Sequence, residues 1–174
     1  MSLVEKQVNP MQKPQIRKVT VNIAIGESGE PLQKATRILE QLTEQKPCQR
    51  QAKKSIRDWN VRKNDPIACI VTLRRQKAID FLKKAFYAVS KVSSSSFDVN
   101  GNFSFGIKEH IEMPGVKYDP KLGILGMDVC VTIEKPGFHI KRRHSLRAKI
   151  GKRQLVKPPE SIEYVRDLFG IEIV

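Results

Sequence analysis

Lys18-Val19-Thr20-Val21-Asn22-Ile23-Ala24-Ile25 alternates without a break, with Val19, Val21, Ile23 and Ile25 on one side and Lys18, Thr20, Asn22 and Ala24 on the other. A period of two over eight residues predicts a strand with one face on a core and one polar face uncovered. Gly26-Glu27-Ser28-Gly29-Glu30-Pro31 then turns the chain, and the stripe Leu32, Ala35, Leu39, Leu42 predicts a helix to about Thr43. A strand feeding a helix, with one strand face left polar, points to a two-layer fold in which helices cover a single side of a sheet.

The rest of the chain extends that pattern. Residues 46–53 read as a polar edge strand, and 66–73 as a strand with Ile67, Cys69, Val71 and Leu73 on one face. Residues 76–90 predict a helix burying Ala78, Leu82, Ala85, Phe86 and Val89. Four consecutive serines mark 91–102 as a loop. Residues 103–107 and 127–134 read as strands, the second alternating Met127, Val129, Val131, Ile133 against Asp128, Cys130, Thr132, Glu134. Pro158-Pro159 opens a last helix bearing Ile162, Val165, Leu168 and Phe169, closed by Gly170 before a short terminal strand. The order β-α-β-β-α-β-β-α-β predicts an α+β two-layer sandwich: a mostly antiparallel sheet, helices on one face, the other face open. Length fits one domain over residues 1–174, with an N-terminal arm (1–15), a basic loop (54–64), an exposed loop (110–126) and a basic extension (135–157).

Charge is distributed unevenly. Of 32 Lys and Arg against 18 Asp and Glu, seven bases and one acid lie in residues 46–63, and nine bases and no acid in 135–159. The remainder is close to neutral. Cations packed this densely repel one another and call for a polyanion, nucleic acid before any other. Within the first window Trp59 stands among Lys53, Lys54, Arg57, Arg62 and Lys63. It is either a core anchor or a stacking finger, and the length of the segment between two strands favours an exposed, RNA-touching loop.

Signals for chemistry are weak. Gly26-x-x-Gly29 lacks the Gly-Lys-Ser/Thr of a phosphate loop, and Glu27 and Glu30 place negative charge where phosphate would sit. His110, His139 and His144 form no metal or acid–base frame and read as surface histidines. Asn102-Phe103-Ser104-Phe105-Gly106 lacks the basic residue and adjacent glycine of an RNA-stacking strand, so Phe103 and Phe105 are expected to bury on one strand face. Cys48, Cys69 and Cys130 are widely spaced and read as free, mostly buried thiols. No apolar run approaches a membrane span and the N-terminus lacks a secretory signal, so a cytoplasmic protein is expected, with no cofactor, metal or membrane partner and no catalysis.

Seven blocks stand in order: Val21-Asn22-Ile23-Ala24-Ile25-Gly26-Glu27, Gln45-Lys46-Pro47, Ala52-Lys53-Lys54-Ser55-Ile56-Arg57-Asp58, Pro66-Ile67 to Val71-Thr72-Leu73-Arg74, Gly101-Asn102-Phe103-Ser104-Phe105-Gly106-Ile107, Pro114-Gly115-Val116-Lys117-Tyr118-Asp119 and Gly126-Met127-Asp128-Val129. Together they resemble ribosomal large-subunit protein five, the 5S rRNA binder, in its archaeal and eukaryotic form. The basic stretch 135–157 resembles that form too, and the lack of long added tails points to the archaeal branch. Where the family often has glycine in the basic loop, this chain has Asn60 and Asn64, and Asn tolerates positive φ.

The resemblance implies a non-catalytic, cytoplasmic constituent of the large subunit's central protuberance, beside neighbouring ribosomal proteins there. 5S and large-subunit rRNA would meet Arg17, Lys18, Thr20, Asn22, Lys46, Gln49, Gln51 and Lys53, together with Lys141, Arg142, Arg143, Arg147, Lys149, Lys152 and Arg153 of the extension. Peptidyl-site tRNA would meet Lys54, Ser55, Arg57, Trp59, Arg62 and Lys63. A bridge to a small-subunit head protein would use His110, Glu112, Lys117, Tyr118 and Asp119; this last expectation rests on the resemblance alone. The alternatives are an RNA-binding factor outside the ribosome, which would not co-sediment with large subunits, and a nucleotide-dependent enzyme using Gly26 to Gly29, which would show a nucleotide thermal shift.

Overall fold

The computed structural model describes residues 9–116 and 119–174. In chain order the strands are β1 Gln15–Ala24, β2 Cys48–Gln51, β3 Pro66–Leu73, β4 Lys91–Val92, β5 Phe103–Ile107, β6 Met127–Glu134 and β7 Glu172–Ile173. The helices are α1 Glu30–Thr43, α2 Gln76–Ala88, α3 His139–Arg142 and α4 Pro158–Phe169. Five strands form one antiparallel sheet in the order β2-β3-β1-β6-β5, which bears out the predicted α+β sandwich. The first strand of the chain is therefore the middle strand of the sheet.

Alternation along β1 does what its sequence dictates. Val19, Val21 and Ile23 are buried opposite Leu73, Val71 and Cys69 of β3, and Val19 and Val21 meet Val131 and Val129 of β6 on the other side. Leu32, Ala35, Ile38 and Leu39 of α1 and Ala78, Phe81, Leu82, Ala85 and Phe86 of α2 close over this face. Phe103 and Phe105 both join that side: Phe86 lies 5.1 Å from the Phe105 ring and 6.3 Å from Phe103, whose far side Phe97 covers at 4.9 Å. Stacked rings at these separations contribute beyond their buried area.

Segment 91–102, expected as a plain loop, instead contains β4, which pairs in parallel with β7 near the other end of the chain. So distant a pairing leaves no local pattern to read. Nearby, α4 is latched to the β5 entry loop: Ser161 Oγ donates to the Gly101 carbonyl at 2.5 Å. Gly101 has φ +73, and a Cβ there would lie 2.8 Å from Ser161 Oγ and 3.0 Å from Val156 Cγ1. Glycine is required on both counts.

Three substitutions check this packing by chemical denaturation. Leu39→Ala is expected to cost about 2–5 kcal/mol. Gly101→Ala should cost at least about 1–2 kcal/mol from backbone strain, before any displacement of α4. Thr72→Ala, on the uncovered face, should stay within about 0.5 kcal/mol of the parent.

Candidate nucleic-acid interface

The face of the sheet away from α1 and α2 is polar. Thr20 stands between Thr72 and Cys130, Asn22 between Ile70 and Asp128, and Lys18 opposite Thr132. All are exposed or half-buried, while Val21 is fully buried, so Asn22 is the outward residue of that pair. A register shift between Ile16 and Lys18 inserts Arg17 as an extra residue, and Arg17 is exposed beside Lys18. Bulges of this kind re-aim a side chain at the end of a strand.

On edge strand β2 the pairing sorts the residues by face. Cys48 and Arg50 sit opposite Ile70 and Ala68, in register with the open face, whereas Gln49 sits opposite the buried Cys69 and alternates to the other side. Gln51 lies beyond a second register shift, opposite Pro66. Every β2 residue is exposed, so no apolar alternation exists to set the register. Lys46 and Lys53 flank the strand, and both are exposed.

Residues 52–65 form a self-bonded finger. Ala52 and Asp65 close its neck, the Ala52 amide donating to Asp65 O at 2.8 Å and Asn64 to Ala52 O at 2.9 Å. An Ile56–Val61 bridge closes the tip around Arg57-Asp58-Trp59-Asn60. Asn60 (φ 54) and Asn64 (φ 74) both occupy the left-handed region, so the turn survives without glycine. Ser55 Oγ accepts the Lys63 amide and Asp65 Oδ2 accepts that of Arg62, both at 2.9 Å. Trp59 is 72% exposed at the tip, which rules out the core-anchor alternative. Lys54, Arg57, Arg62 and Lys63 are exposed around it.

The basic extension has acid partners from outside its own span. Lys135 is nearly buried and bonds Glu160 Oε1 at 2.7 Å, and Arg142 pairs with Glu134. At the far end Val156 enters the core. Gln154 Nε2 donates to the Met11 and Pro136 carbonyls, tying the extension to the N-terminal arm. Between these anchors Lys141, Arg147, Lys149, Lys152 and Arg153 are exposed and Arg143 is half-buried.

His110 is not the surface residue that its sequence suggests. It is only 3% exposed, and its Nδ1 lies 3.3 Å from both the amide and the carbonyl of Leu125. It staples the base of the 110–126 loop. Glu112 and Asp119 are exposed, and the expected Lys117 and Tyr118 lie outside the described residues.

At the glycine turn the Ile25 and Gly26 amides both donate to Ile67 O, so neither is free to cradle phosphate. The cysteines also differ from expectation: Cys69 is buried, but Cys48 and Cys130 are exposed because their strand positions fall on the open face. Burial pushes the Cys69 thiol up, a hydrogen bond with Thr36 offsetting part of the rise. Among the described residues no group of three or more His, Cys, Asp and Glu could hold a metal, and no helix is long and apolar enough to cross a membrane.

Fold and surface together define a basic α+β binding protein that presents cations on a rigid scaffold. Two family models match it in tandem, "Ribosomal protein L5" over residues 9–62 and the C-terminal model of the same ribosomal family over 66–155. Proteins called large ribosomal subunit protein uL5 align over nearly the whole chain. That of Pyrobaculum aerophilum is 51% identical, covering 98% of this chain and 96% of its own. That of Aeropyrum pernix is 52% identical (99% and 91%), and that of Methanococcus aeolicus 49% (97% and 94%). The chain belongs to the ribosomal protein L5 family and is a constituent of the large ribosomal subunit. All three sources are archaea, and the relatives' name is that of a ribosomal constituent rather than an enzyme, in line with both expectations.

Two measurements check the local geometry. A small alkylating reagent should modify Cys48 and Cys130 of native protein quickly and Cys69 only on unfolding, since a buried neutral thiol is inert. Trp59→Ala should leave the unfolding free energy within about 0.5 kcal/mol.

Proposed function

We propose that, in the large subunit, the open face of the sheet holds 5S rRNA while the finger at 52–65 reaches peptidyl-site tRNA. The observation that carries the first part is the register: a polar face with Lys18, Thr20, Asn22 and Arg50 exposed or half-buried on the side away from α1 and α2. Hydroxyl, amide and cationic groups on a rigid sheet suit sugar and phosphate, which position RNA. The finger is supported by its exposed Trp59 and four cations on a backbone that bonds to itself, so little conformational freedom need be lost on contact. The exposed bases of the extension would take large-subunit rRNA, neutralised by phosphate where no protein acid is near.

For the bridge to the small-subunit head, the exposed Glu112 and Asp119 remain candidates, along with Lys117 and Tyr118; His110 serves as the loop's staple instead.

Binding of 5S RNA should fall by orders of magnitude between roughly 50 and 200 mM salt if six or more phosphates are engaged. Cys130, central on the open face, gives the sharper test: bound 5S RNA should slow its alkylation while Trp59 fluorescence stays unchanged. Undiminished alkylation under saturating RNA would place the RNA elsewhere. Trp59→Ala should weaken tRNA retention on reconstituted ribosomes and leave 5S affinity intact.

A further inference from the structure

A cavity of about 510 Å³ opens where β1 begins and β6 ends, walled by the start of α2, by α3 and by Tyr164 of α4. That size lies within the range of small-molecule sites. Three chemistries meet in it. Arg17, Arg75 and Arg142 bring guanidinium charge, and Phe138 and Tyr164 bring aromatic rings. Glu134 brings a carboxylate whose Oε1 holds Arg142, while its Oε2 is buried without a hydrogen-bond partner among the described residues. Arg17 and Arg75 have no ion-pair partner among the described residues.

A buried carboxylate oxygen demands a donor, and a surplus of guanidinium demands an anion. A nucleoside monophosphate unit answers both: phosphate for Arg17 and Arg75, a planar base for the ring walls, and an exocyclic amino group for Glu134 Oε2. Guanine fits best. Its amino group donates, and its O6 and N7 accept an arginine fork. Uracil fits worst, because its single ring donor is flanked by two carbonyl oxygens that would confront the carboxylate.

We infer that this cavity receives one unstacked, amino-bearing nucleotide, guanosine above the others, from a single-stranded part of bound RNA. The strand as source rests on the RNA-binding reading above, since the cavity adjoins the open face at Arg17 and Glu134 and the basic extension at Arg142. It would add base preference to an interface otherwise built for backbone contact.

The test uses the full chain, isotopically labelled, with amide shifts read around Arg17, Arg75 and Phe138. The probes are guanosine 5′-monophosphate, uridine 5′-monophosphate, inorganic phosphate, and two pentanucleotides, all-uridine and uridine with one central guanosine. Guanosine monophosphate should saturate these shifts about tenfold more tightly than uridine monophosphate, in line with the discrimination of one good base contact. The guanosine pentamer should bind more tightly still. Glu134→Gln should erase the base preference and leave the phosphate response, whereas Arg17→Ala with Arg75→Ala should weaken every probe. Equal binding of the two mononucleotides, or no shift at these amides, overturns the inference. A free mononucleotide outcompeting the pentamer overturns the strand as its source. 5S RNA binding is measured on the same samples: if it holds while base preference is absent, only the nucleotide pocket falls; if it fails while preference is present, the sheet-face reading falls instead.

Discussion

The pairing of β1 with β3 on one side and β6 on the other fixes nearly everything else in the molecule. Because strand side chains alternate, this double pairing decides at once which residues the helices cover and which remain outside. A slip of one residue would put Lys18, Thr20 and Asn22 against Leu39 and Leu82 and expose Val19, Val21 and Ile23. No partial adjustment is available, since desolvating a lysine without a partner costs several kcal/mol. The core and the polar face are thus one constraint seen from two sides.

Electrostatics shape the periphery differently at each place. The finger keeps its shape through backbone and Asn geometry, and its cations remain at the surface. The extension is pinned at its near end by Lys135–Glu160 and Arg142–Glu134 and at its far end by Val156. Pairs of this kind contribute most where one partner is shielded, as Lys135 is, and least at the open surface. The remaining bases therefore stand out as unneutralised charge on a tethered strip.

What can be read from the chain follows from what each signal depends on. Strands β1, β3 and β6 and helices α1 and α2 are legible because burial on one side imprints a period on the sequence. The register of β2 is not, because a strand exposed at every position carries no such imprint; only the pairing shows that Gln49 alternates away from the open face. Arg17 stands beside Lys18 as expected, but the bulge that exposes it depends on β6, which is remote in sequence. His110 escapes a sequence reading for a similar reason: its partner is the backbone of Leu125, and no local pattern announces a histidine bonded across a loop. Trp59 among cations leaves two readings open, and only the closed turn beneath it decides for exposure. The cavity at Glu134 and Arg75 has no sequence signature, being assembled from separate elements.

The central position of β1 also bears on how the protein is made. Its two neighbours emerge at very different times: β3 is complete by Leu73, but β6 only at Glu134. Until then the middle strand has one bare edge, and the polar face is half assembled. Pairings between ends so far apart close slowly and leave unpaired edges available to other chains in the meantime. A nascent copy that stops short of Glu134 would expose valines that the finished molecule hides. Such a chain needs shielding before it meets any partner.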